Sequence, residues 1–294
     1  MPRRISLSLD AVIVAVTDGR PRVLTATQAG TGTPALPSGL LDVDGDATLE
    51  LGVRRWISAQ TGLAVGYVEQ LYTFGDRDRQ RTAEDTRDLS VAYLSLVKEA
   101  QPAPGAAWLD GYDLLPWEDH RAGVPAVVGS VLYPALNRWA GRDAARQHRV
   151  RANFGDRRAW DSVRVLERYE LLYEAGLVPE HQRDRGLPFG NGAAVGTELS
   201  WDHRRIVATA LGRLRGKLKY RPVVFELLPE TFTLLQLQRT VEALTGMRLH
   251  KQNFRRLVEN GRFLEPTRSF ERRARGRPAK LFRFRKEVVR ARLY

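Results

Sequence analysis

The sequence predicts three regions in order: an α/β domain over 1–118, a helical insert and linker over 119–199, and a winged helix-turn-helix over 200–294. Strand-like and helical patterns alternate in the first region, which is typical of α/β domains. The last region is strongly basic, because residues 201–294 hold 24 Lys and Arg against 8 Asp and Glu. Residues 1–200 hold the other 23 Lys and Arg and the other 26 Asp and Glu, so the net charge of +13 arises in the last third. Such a distribution is typical of proteins that bind polyanions.

Composition narrows the class of protein further. At 294 residues and 43% hydrophobic, the chain is long and apolar enough to bury more than one core. It contains no cysteine, which excludes disulfides, cysteine-ligated zinc sites and thiol catalysis. No segment has the apolar run of a signal peptide or the roughly 20 apolar residues that span a bilayer. We therefore expect a cytoplasmic protein without a membrane partner.

The first region begins with a predicted hairpin. Residues 6–16 (SLSLDAVIVAV) and 21–27 (PRVLTAT) are typical strands, and the turn between them contains Asp18 and Gly19. A loop rich in glycine and proline follows over 28–46. These features place two antiparallel strands at the start of the α/β domain.

A helix is predicted over 48–60, because apolar residues recur at helical spacing and Gly62 follows as a stop signal. Two more strands are predicted over 65–74 and 89–97, with a polar loop at 75–88 between them. In the insert we predict helices at about 126–139, 142–152 and 161–175, and a glycine-rich linker over 183–198. The packing of these helices is expected to include Trp139, Trp160, Tyr169 and Tyr173.

The basic third opens with a predicted helix over 202–218, whose apolar stripe is surrounded by Arg and Lys. Thr233 is a suitable cap for a second helix that closes at Gly246. A third helix is predicted over 250–260, capped by Gly261, with Phe254, Leu257 and Val258 facing inward. Two strand-like segments, 262–267 and 280–285, then flank a tip rich in arginine.

This order of helix, turn, helix and basic hairpin predicts a winged helix-turn-helix whose second helix enters the major groove. We expect double-stranded DNA as the partner, with helix arginines reading base edges and wing arginines holding the backbone. The predicted DNA contacts are Thr233, His250, Lys251, Asn253, Arg255, Arg256, Arg272, Arg273, Arg275, Arg277 and Lys280. Thr233 is first of all a helix cap, and the wing arginines are alternatively an uncontacted, mobile tip.

The segment from Gly39 to Leu63 resembles a Nudix box, the loop-helix signature of enzymes that cleave nucleoside diphosphates linked to another group. Aligned on Gly62 and Leu63, the three glutamates of the family pattern fall on Trp56, Ala59 and Gln60. Those glutamates hold Mg²⁺, which needs carboxylate oxygens. Asp42, Asp44 and Asp46 lie near them, but on the loop. We therefore predict a Nudix-like domain without a metal, a catalytic residue or enzyme activity.

A Nudix-like domain joined to a winged helix resembles the Nudix-related transcriptional regulators (NrtR family). The motifs that carry this resemblance are Trp201-Asp202-His203, Leu214-Arg215-Gly216-Lys217, Leu227-Leu228-Pro229, Phe232-Thr233-Leu234, Asn253-Phe254-Arg255-Arg256 and Arg277-Pro278-Ala279. The insert at 119–199 makes the layout similar to the longer NadQ-type repressors of NAD synthesis. The predicted fold class is thus an α/β Nudix-like domain, a helical insert and a C-terminal winged helix-turn-helix.

The resemblance implies a homodimeric repressor of NAD-metabolism genes that binds a palindromic operator. Its Nudix-like domain would sense an effector nucleotide, which is ADP-ribose in many members and NAD or ATP in the longer type. No cofactor is implied. The predicted ligand contacts are Arg54, Arg55, Phe74, Asp76 and Arg87. For Arg55 the alternative is a structural ion pair, and we expect His120 and His203 to make local hydrogen bonds instead of binding a ligand.

Three other interpretations remain open on the sequence alone. One is an active Nudix hydrolase with a nucleic-acid-binding tail, which the glutamates absent from positions 56, 59 and 60 disfavour. Another is a nucleic-acid binder without sequence preference. The third is a solvated helical bundle with an accidental charge bias, which the concentration of arginine on one helix and one hairpin disfavours.

Overall fold

The computed structural model describes residues 4–27, 32–75, 86–155, 160–187, 195–218, 223–271, 278–285 and 287. Within them, the first domain is built on a mixed seven-stranded sheet with the strand order β3-β2-β1-β6-β5, where β4 also pairs with β1 and β7 with β2. The strands are β1 (Arg4–Thr17), β2 (Arg20–Thr27), β3 (Pro34–Ala35), β4 (Ser38–Leu40), β5 (Tyr67–Phe74), β6 (Thr86–Leu96) and β7 (Ala106–Asp110).

The predicted hairpin is confirmed, with Asp18 and Gly19 both at positive φ in the turn between β1 and β2. The predicted loop over 28–46 is partly wrong, because β3 and β4 lie within it. The predicted loop over 75–88 is also too long. Strand β6 begins at Thr86, because its first residues pair in parallel with the start of β1. Sequence patterning misses this extension, since neighbouring backbone supplies the hydrogen bonds.

The two faces of the sheet are covered by different parts of the chain. Helix α1 (Leu49–Thr61) packs on one face, where Val53 and Ile57 join the cluster of Leu9, Ile13 and Leu24. The stop at Gly62, which is left-handed, is as predicted. The helix begins one residue later than predicted, because the Thr48 side chain caps it by accepting a hydrogen bond from the Leu51 amide. The opposite face carries Val12, Val14 and Leu94, which join one large cluster with the helical insert and the following helix.

The first region ends with the short helix α2 (Gly111–Leu114), and the insert that follows consists of helices, as predicted. Its elements are a π-helical turn (Val128–Leu132) that continues into α3 (Tyr133–Ala140), α4 (Ala144–Phe154), α5 (Val165–Glu174) and α6 (Pro179–Asp184). Tyr169 is buried, and Trp139, Trp160 and Tyr173 pack against the same cluster, so their predicted role in packing is confirmed.

The predicted linker over 183–198 is partly wrong. Helix α6 occupies its start, and Val195 near its end is buried beside Leu199 in the large cluster. These apolar side chains hold the chain against the domain, although the surrounding glycines favour a loop. The large cluster also crosses positions 118 and 199, where the sequence suggests domain boundaries. The sheet, the insert and the next helix therefore share one core.

Helix α7 (His203–Leu218) leads to the C-terminal domain, where a short 3-10 turn (Val223–Leu227) precedes β8 (Phe232–Thr233). The remaining elements are α8 (Leu234–Thr245), α9 (Lys251–Gly261), β9 (Leu264–Glu271) and β10 (Ala279–Phe284). The strands form a small sheet of order β8-β10-β9, and the helices close a core around Phe232, Leu237 and Phe254. This is the predicted winged helix. No helix in the described ranges combines the length and apolarity that crossing a membrane requires.

Candidate functional site

Helix α9 presents the main basic face of the C-terminal domain. Phe254 anchors the helix in the core with 6% of its surface exposed, whereas Lys251, Arg255 and Arg256 are exposed. Neither of these arginines pairs with an acidic side chain within the described ranges, so their guanidinium groups are available to an external partner. Arginine can meet O6 and N7 of guanine with two hydrogen bonds. The geometry therefore suits a recognition helix in a major groove.

Two details of α9 differ from the sequence prediction. Leu257 does not face inward, since 71% of its surface is exposed. Gly261 does not cap the helix, because it is the last helical residue and Arg262 takes the left-handed position at φ 50°. Glycine occupies position 261 for a steric reason, because a Cβ there would overlap the ring of Phe263. Glycine is therefore required here by close packing, while Arg262 makes the turn.

The other predicted DNA contacts surround this helix. Asn253 and His250 are exposed and line an apolar groove between α8, α9 and the wing, and Lys280 is exposed on β10. Thr233 is 2% exposed and caps α8 through a capping box with Gln236, so its hydroxyl serves the helix. The wing arginines Arg272, Arg273, Arg275 and Arg277 lie outside the described residues.

The Nudix-box positions carry no carboxylates, and two of their side chains hydrogen-bond to a nearby loop. The indole of Trp56 donates a hydrogen bond to the carbonyl of Leu40 at 2.9 Å, and its ring covers Gly39 so closely that no Cβ would fit. Gln60 donates to the carbonyl of Ser38 at 2.7 Å and accepts from its amide at 3.0 Å. Two of the three positions where the family has glutamates thus fasten β4 to α1.

A cavity of about 290 Å³ lies beside this fastened loop. Its lining contains Thr27, Ser38, Ala59, Gln60 and Trp201 among ten residues. Hydroxyl, amide and indole groups lie in its lining beside apolar residues, and none of the described lining residues carries a carboxylate. Within the described residues, no group of three or more His, Asp and Glu side chains is placed to hold a metal ion. The cavity is equipped to receive a polar ring or sugar by hydrogen bonding and stacking.

Arg54 and Arg55, two of the predicted ligand contacts, lie on α1 and make hydrogen bonds and ion pairs within the first domain. Arg55 makes two hydrogen bonds to the Asp46 carboxylate, at 2.9 and 2.7 Å, which confirms the structural ion pair. These hydrogen bonds lower the pKa of Asp46 to about 2. Arg54 pairs with Glu50 and donates to the carbonyl of Gly66 at 2.9 Å. Neither arginine lines the cavity.

The remaining predicted ligand contacts lie at another edge of the sheet. Phe74 is buried at the end of β5, and Arg87 near the start of β6 donates to the carbonyl of Gly75. Asp76 lies outside the described residues. Neither Phe74 nor Arg87 lines the cavity beside α1, and their role in ligand binding stays a prediction.

Helix α7 connects the cavity to the C-terminal domain. At its start, His203 is fully buried, and its Nδ1 accepts a hydrogen bond from the Leu36 amide at 2.8 Å. His120 contacts the Trp117 carbonyl at 3.2 Å and packs on Trp160. The prediction that these histidines make local contacts is confirmed. Asp10 lies 3.6 Å from Nε2 of His203 and so links α7 to the central strand.

Near its other end, α7 contributes to a buried ionic cluster of Glu118, Arg168 and Arg215. Arg168 makes two hydrogen bonds to Glu118, at 2.6 and 2.9 Å, and Arg215 makes a third. Burial by itself raises the pKa of Glu118, but the two guanidinium groups outweigh it, so this pKa is lowered. Arg215 also donates to the Leu244 carbonyl at 2.9 Å. The cluster thereby joins the insert, α7 and α8.

Sequence reasoning did not predict a functional contact for two residues that the structure brings to these surfaces. Gln252 is exposed on α9 one turn before Arg255 and Arg256, so it shares their face. Trp201 reaches the cavity from the segment before α7. The helical spacing within 250–260 contained the signal for Gln252. For Trp201 the sequence shows no such signal, since its contact depends on the path of the chain between domains.

Comparison with known proteins identifies relatives of the C-terminal part of the chain. Residues 224–284 match the family model of the NrtR DNA-binding winged helix domain. The ADPR responsive transcriptional repressor NtrR of Acinetobacter baylyi is 37% identical over 92 residues, which are 31% of this chain and 36% of that protein. The match thus spans only about a third of the curated relative.

Solved structures match the chain over nearly its whole length. Shewanella oneidensis NrtR in complex with a 27mer DNA is 22% identical, with 97% of this chain and 95% of that chain covered and a TM-score of 0.59. A MutT/nudix family protein from Enterococcus faecalis is 17% identical, with 96% and 87% covered and a TM-score of 0.58. Residues 224–284 therefore form an NrtR-type DNA-binding winged helix domain, in a chain that has the Nudix-plus-winged-helix fold of the Nudix-related transcriptional regulators.

Proposed function

We propose that this protein is a nucleotide-responsive repressor that binds a palindromic operator as a homodimer and controls genes of NAD metabolism. The observation that carries the proposal is the exposed basic face of α9 in a winged helix of the NrtR type. The name of the Acinetobacter relative, an ADPR-responsive repressor, supports ADP-ribose as the effector. NAD and ATP are the other candidates, and the cytoplasm is the proposed location.

The test is a binding assay with the full chain. Operator duplexes are first selected from random DNA, and the Kd is then measured by fluorescence anisotropy with and without ADP-ribose, NAD or ATP. A functional response corresponds to a change of roughly 5–150-fold in operator affinity, equivalent to about 1–3 kcal/mol. An unchanged Kd with all three nucleotides at millimolar concentration contradicts the proposal.

The homodimer is proposed because one winged helix reads few base pairs, whereas two recognition helices about 34 Å apart read two half-sites. Light scattering at micromolar concentration should give about twice the mass of the 33.2 kDa chain. Selected operators should be two-fold symmetric. A monomer, or binding to unrelated duplexes with equal affinity, counts against this part of the proposal.

Catalysis is not part of the proposed function. Trp56, Ala59 and Gln60 offer no carboxylate to Mg²⁺, and Trp56 and Gln60 are engaged with the loop. Incubation with ADP-ribose and Mg²⁺ or Mn²⁺ should yield no AMP on chromatography. Turnover near 1 s⁻¹, the lower end of ordinary enzyme rates of roughly 1–10³ s⁻¹, would favour the alternative of an active Nudix hydrolase.

A further inference from the structure

One wall of the cavity beside α1 comes from outside the Nudix-like domain. Trp201, in the segment that leads into α7, borders a space otherwise lined by the first domain. The volume of about 290 Å³ is at the lower limit for small-molecule sites, which measure roughly 300–1,000 Å³. The cavity is open to solvent, so one ring or sugar of a nucleotide can enter it while the rest of the ligand lies outside. A group that fills the cavity contacts Trp201.

The backbone of Trp201 is held in an unfavourable conformation. Its φ of 52° lies in the left-handed region, which is disfavoured for a bulky side chain. Neighbouring contacts hold it there: the Ser200 amide donates to the Pro34 carbonyl at 2.8 Å, and Arg183 donates to the Trp201 carbonyl. Residues held in this way are concentrated at ligand clamps and switch regions. Trp201 is thus the strained part of the cavity wall.

The cavity lining and the first turn of α7 are in direct contact. The ring of Trp201 meets the ring of His203 edge-on, with 4.8 Å between their centres. His203 in turn accepts the hydrogen bond from the amide of Leu36, which also lines the cavity. Both Trp201 and Leu36 therefore change position relative to α7 only if these buried contacts change.

The far end of α7 is in contact with the DNA-binding domain. Arg215 lies twelve residues after His203, a distance of about 18 Å along a continuous helix. Its guanidinium donates to the Leu244 carbonyl at the end of α8 and to Glu118. Because packed helices move as rigid units, a displacement at the start of α7 also moves the contact with α8.

We infer that Trp201 is the positioning residue through which an occupied cavity acts on the winged helix. A nucleotide ring or sugar that enters displaces the indole, relieves the left-handed backbone and shifts the start of α7. The inference rests on the proposed function, because it assigns a route to the same nucleotide response. It also predicts that Trp201 affects the coupling between two ligands more than it affects either affinity.

The test compares Trp201→Gly and Trp201→Phe with wild type and with Trp139→Phe. Glycine removes the indole and accepts positive φ, whereas phenylalanine keeps a smaller ring. Trp139 lies on α3, packed under Arg146 and away from the cavity, and so provides a matched control. The operator Kd is measured for each protein without nucleotide and with ADP-ribose, NAD or ATP in separate titrations. The quantity compared is the ratio of the two operator Kd values.

Wild type and Trp139→Phe should show the full ratio, roughly 5–150-fold, while Trp201→Gly should fall to within about twofold of unity and Trp201→Phe between them. Thermal melting identifies variants that fail to fold. If Trp201→Gly fails to fold, the comparison of Trp201→Phe with Trp139→Phe tests the inference. A responsive wild type with equally responsive Trp201 variants overturns this inference and leaves the proposed function intact. A wild type that responds to none of the three nucleotides overturns both.

Discussion

Helices α7 and α9 are both rich in basic residues, but they use this charge in opposite ways. Four basic side chains of α7 pair with carboxylates from the first 180 residues: Arg204 with Glu180, Arg205 with Glu170, Arg215 with Glu118 and Lys217 with Glu69. On α9, Arg255 and Arg256 are exposed and have no such partner in the described part of the chain. One helix joins domains, and the other is available to DNA.

The difference shows how far a charge count along a sequence can mislead. The balance of +16 over 201–294 suggests one continuous basic surface, yet the α7 charges are largely neutralised by carboxylates elsewhere in the fold. The field that reaches a polyanion comes from side chains without internal partners, because paired charges largely cancel at a distance. The exposed arginines of α9 therefore contribute more to the field around the C-terminal domain than the total count of charges suggests.

Breaking the buried cluster of α7 should have the largest effect. Glu118→Gln leaves Arg168 and Arg215 buried against a neutral amide, so we expect the free energy of unfolding to fall by about 3–5 kcal/mol. Denaturation in urea at pH 7 measures this change. The control, Arg256→Gln on α9, should stay within about 0.5 kcal/mol of wild type. Equal effects of the two variants would remove the distinction between the helices.

On α9, the effect should appear in DNA recognition instead of stability. Arg255→Ala or Arg256→Ala should cost about 1–3 kcal/mol in operator binding, while affinity for random duplexes changes little. Arg213→Ala provides the control, because Arg213 is exposed on α7. It should keep the wild-type ratio of operator to random affinity. If both α9 variants also keep that ratio, base recognition resides elsewhere.

A smaller effect is expected on the wing. Lys280 is exposed on β10, and we expect it to hold a phosphate of bound DNA. Lys280→Ala should weaken operator and random DNA alike, and should reduce the slope of log K against log salt by about 0.9. Lys98→Ala, an exposed lysine of the first domain, should leave the slope unchanged. A loss restricted to the operator would instead assign Lys280 to base reading.

Two buried acidic partners of α7, Glu118 and Glu180, should respond to pH in opposite directions. The pKa of Glu118 is lowered, so its stabilisation is present above its ordinary value of 4.5 and is lost as the pH falls through the lowered pKa. Burial raises the pKa of Glu180, and Arg204 offsets this only in part. Its contribution is therefore present below 4.5 and is lost as the pH rises through the raised pKa.

The measurement compares each glutamine variant with wild type from pH 3 to 8. The stability difference between wild type and Glu118→Gln should grow with rising pH, whereas that for Glu180→Gln should shrink. If the two stability differences change with pH in the same direction, Glu118 and Glu180 do not differ electrostatically, despite the second guanidinium group beside Glu118.

Much of the fold was predictable because its signals are local. The turn at Asp18 and Gly19, the cap at Thr48 and the capping box at Thr233 each depend on residues within a few positions of one another. Strand β7 was missed because five residues of mixed polarity carry little periodicity, and its pairing with β2 comes from distant sequence.

The functional surfaces were predictable to different extents. The exposed face of α9 follows from helical spacing, and only Leu257 contradicts the simple pattern. The cavity beside α1 was not predictable, because Trp201 meets Gln60 and Ser38 only after the chain has passed through the whole insert. For the same reason the burial of Arg204 and Arg215 was hidden: their partners, Glu180 and Glu118, lie 24 and 97 positions away in sequence.

The way Trp56 and Gln60 fasten the loop also constrains the evolutionary routes open to this domain. A single change of Gln60 to glutamate removes the amide that donates to Ser38 and places a carboxylate against its carbonyl. A single change of Trp56 to glutamate exposes Gly39 and frees the carbonyl of Leu40. Each step loses stability before a second carboxylate exists to bind a cation. A lineage that changes one residue at a time therefore loses hydrogen bonds of the loop before it gains a metal site.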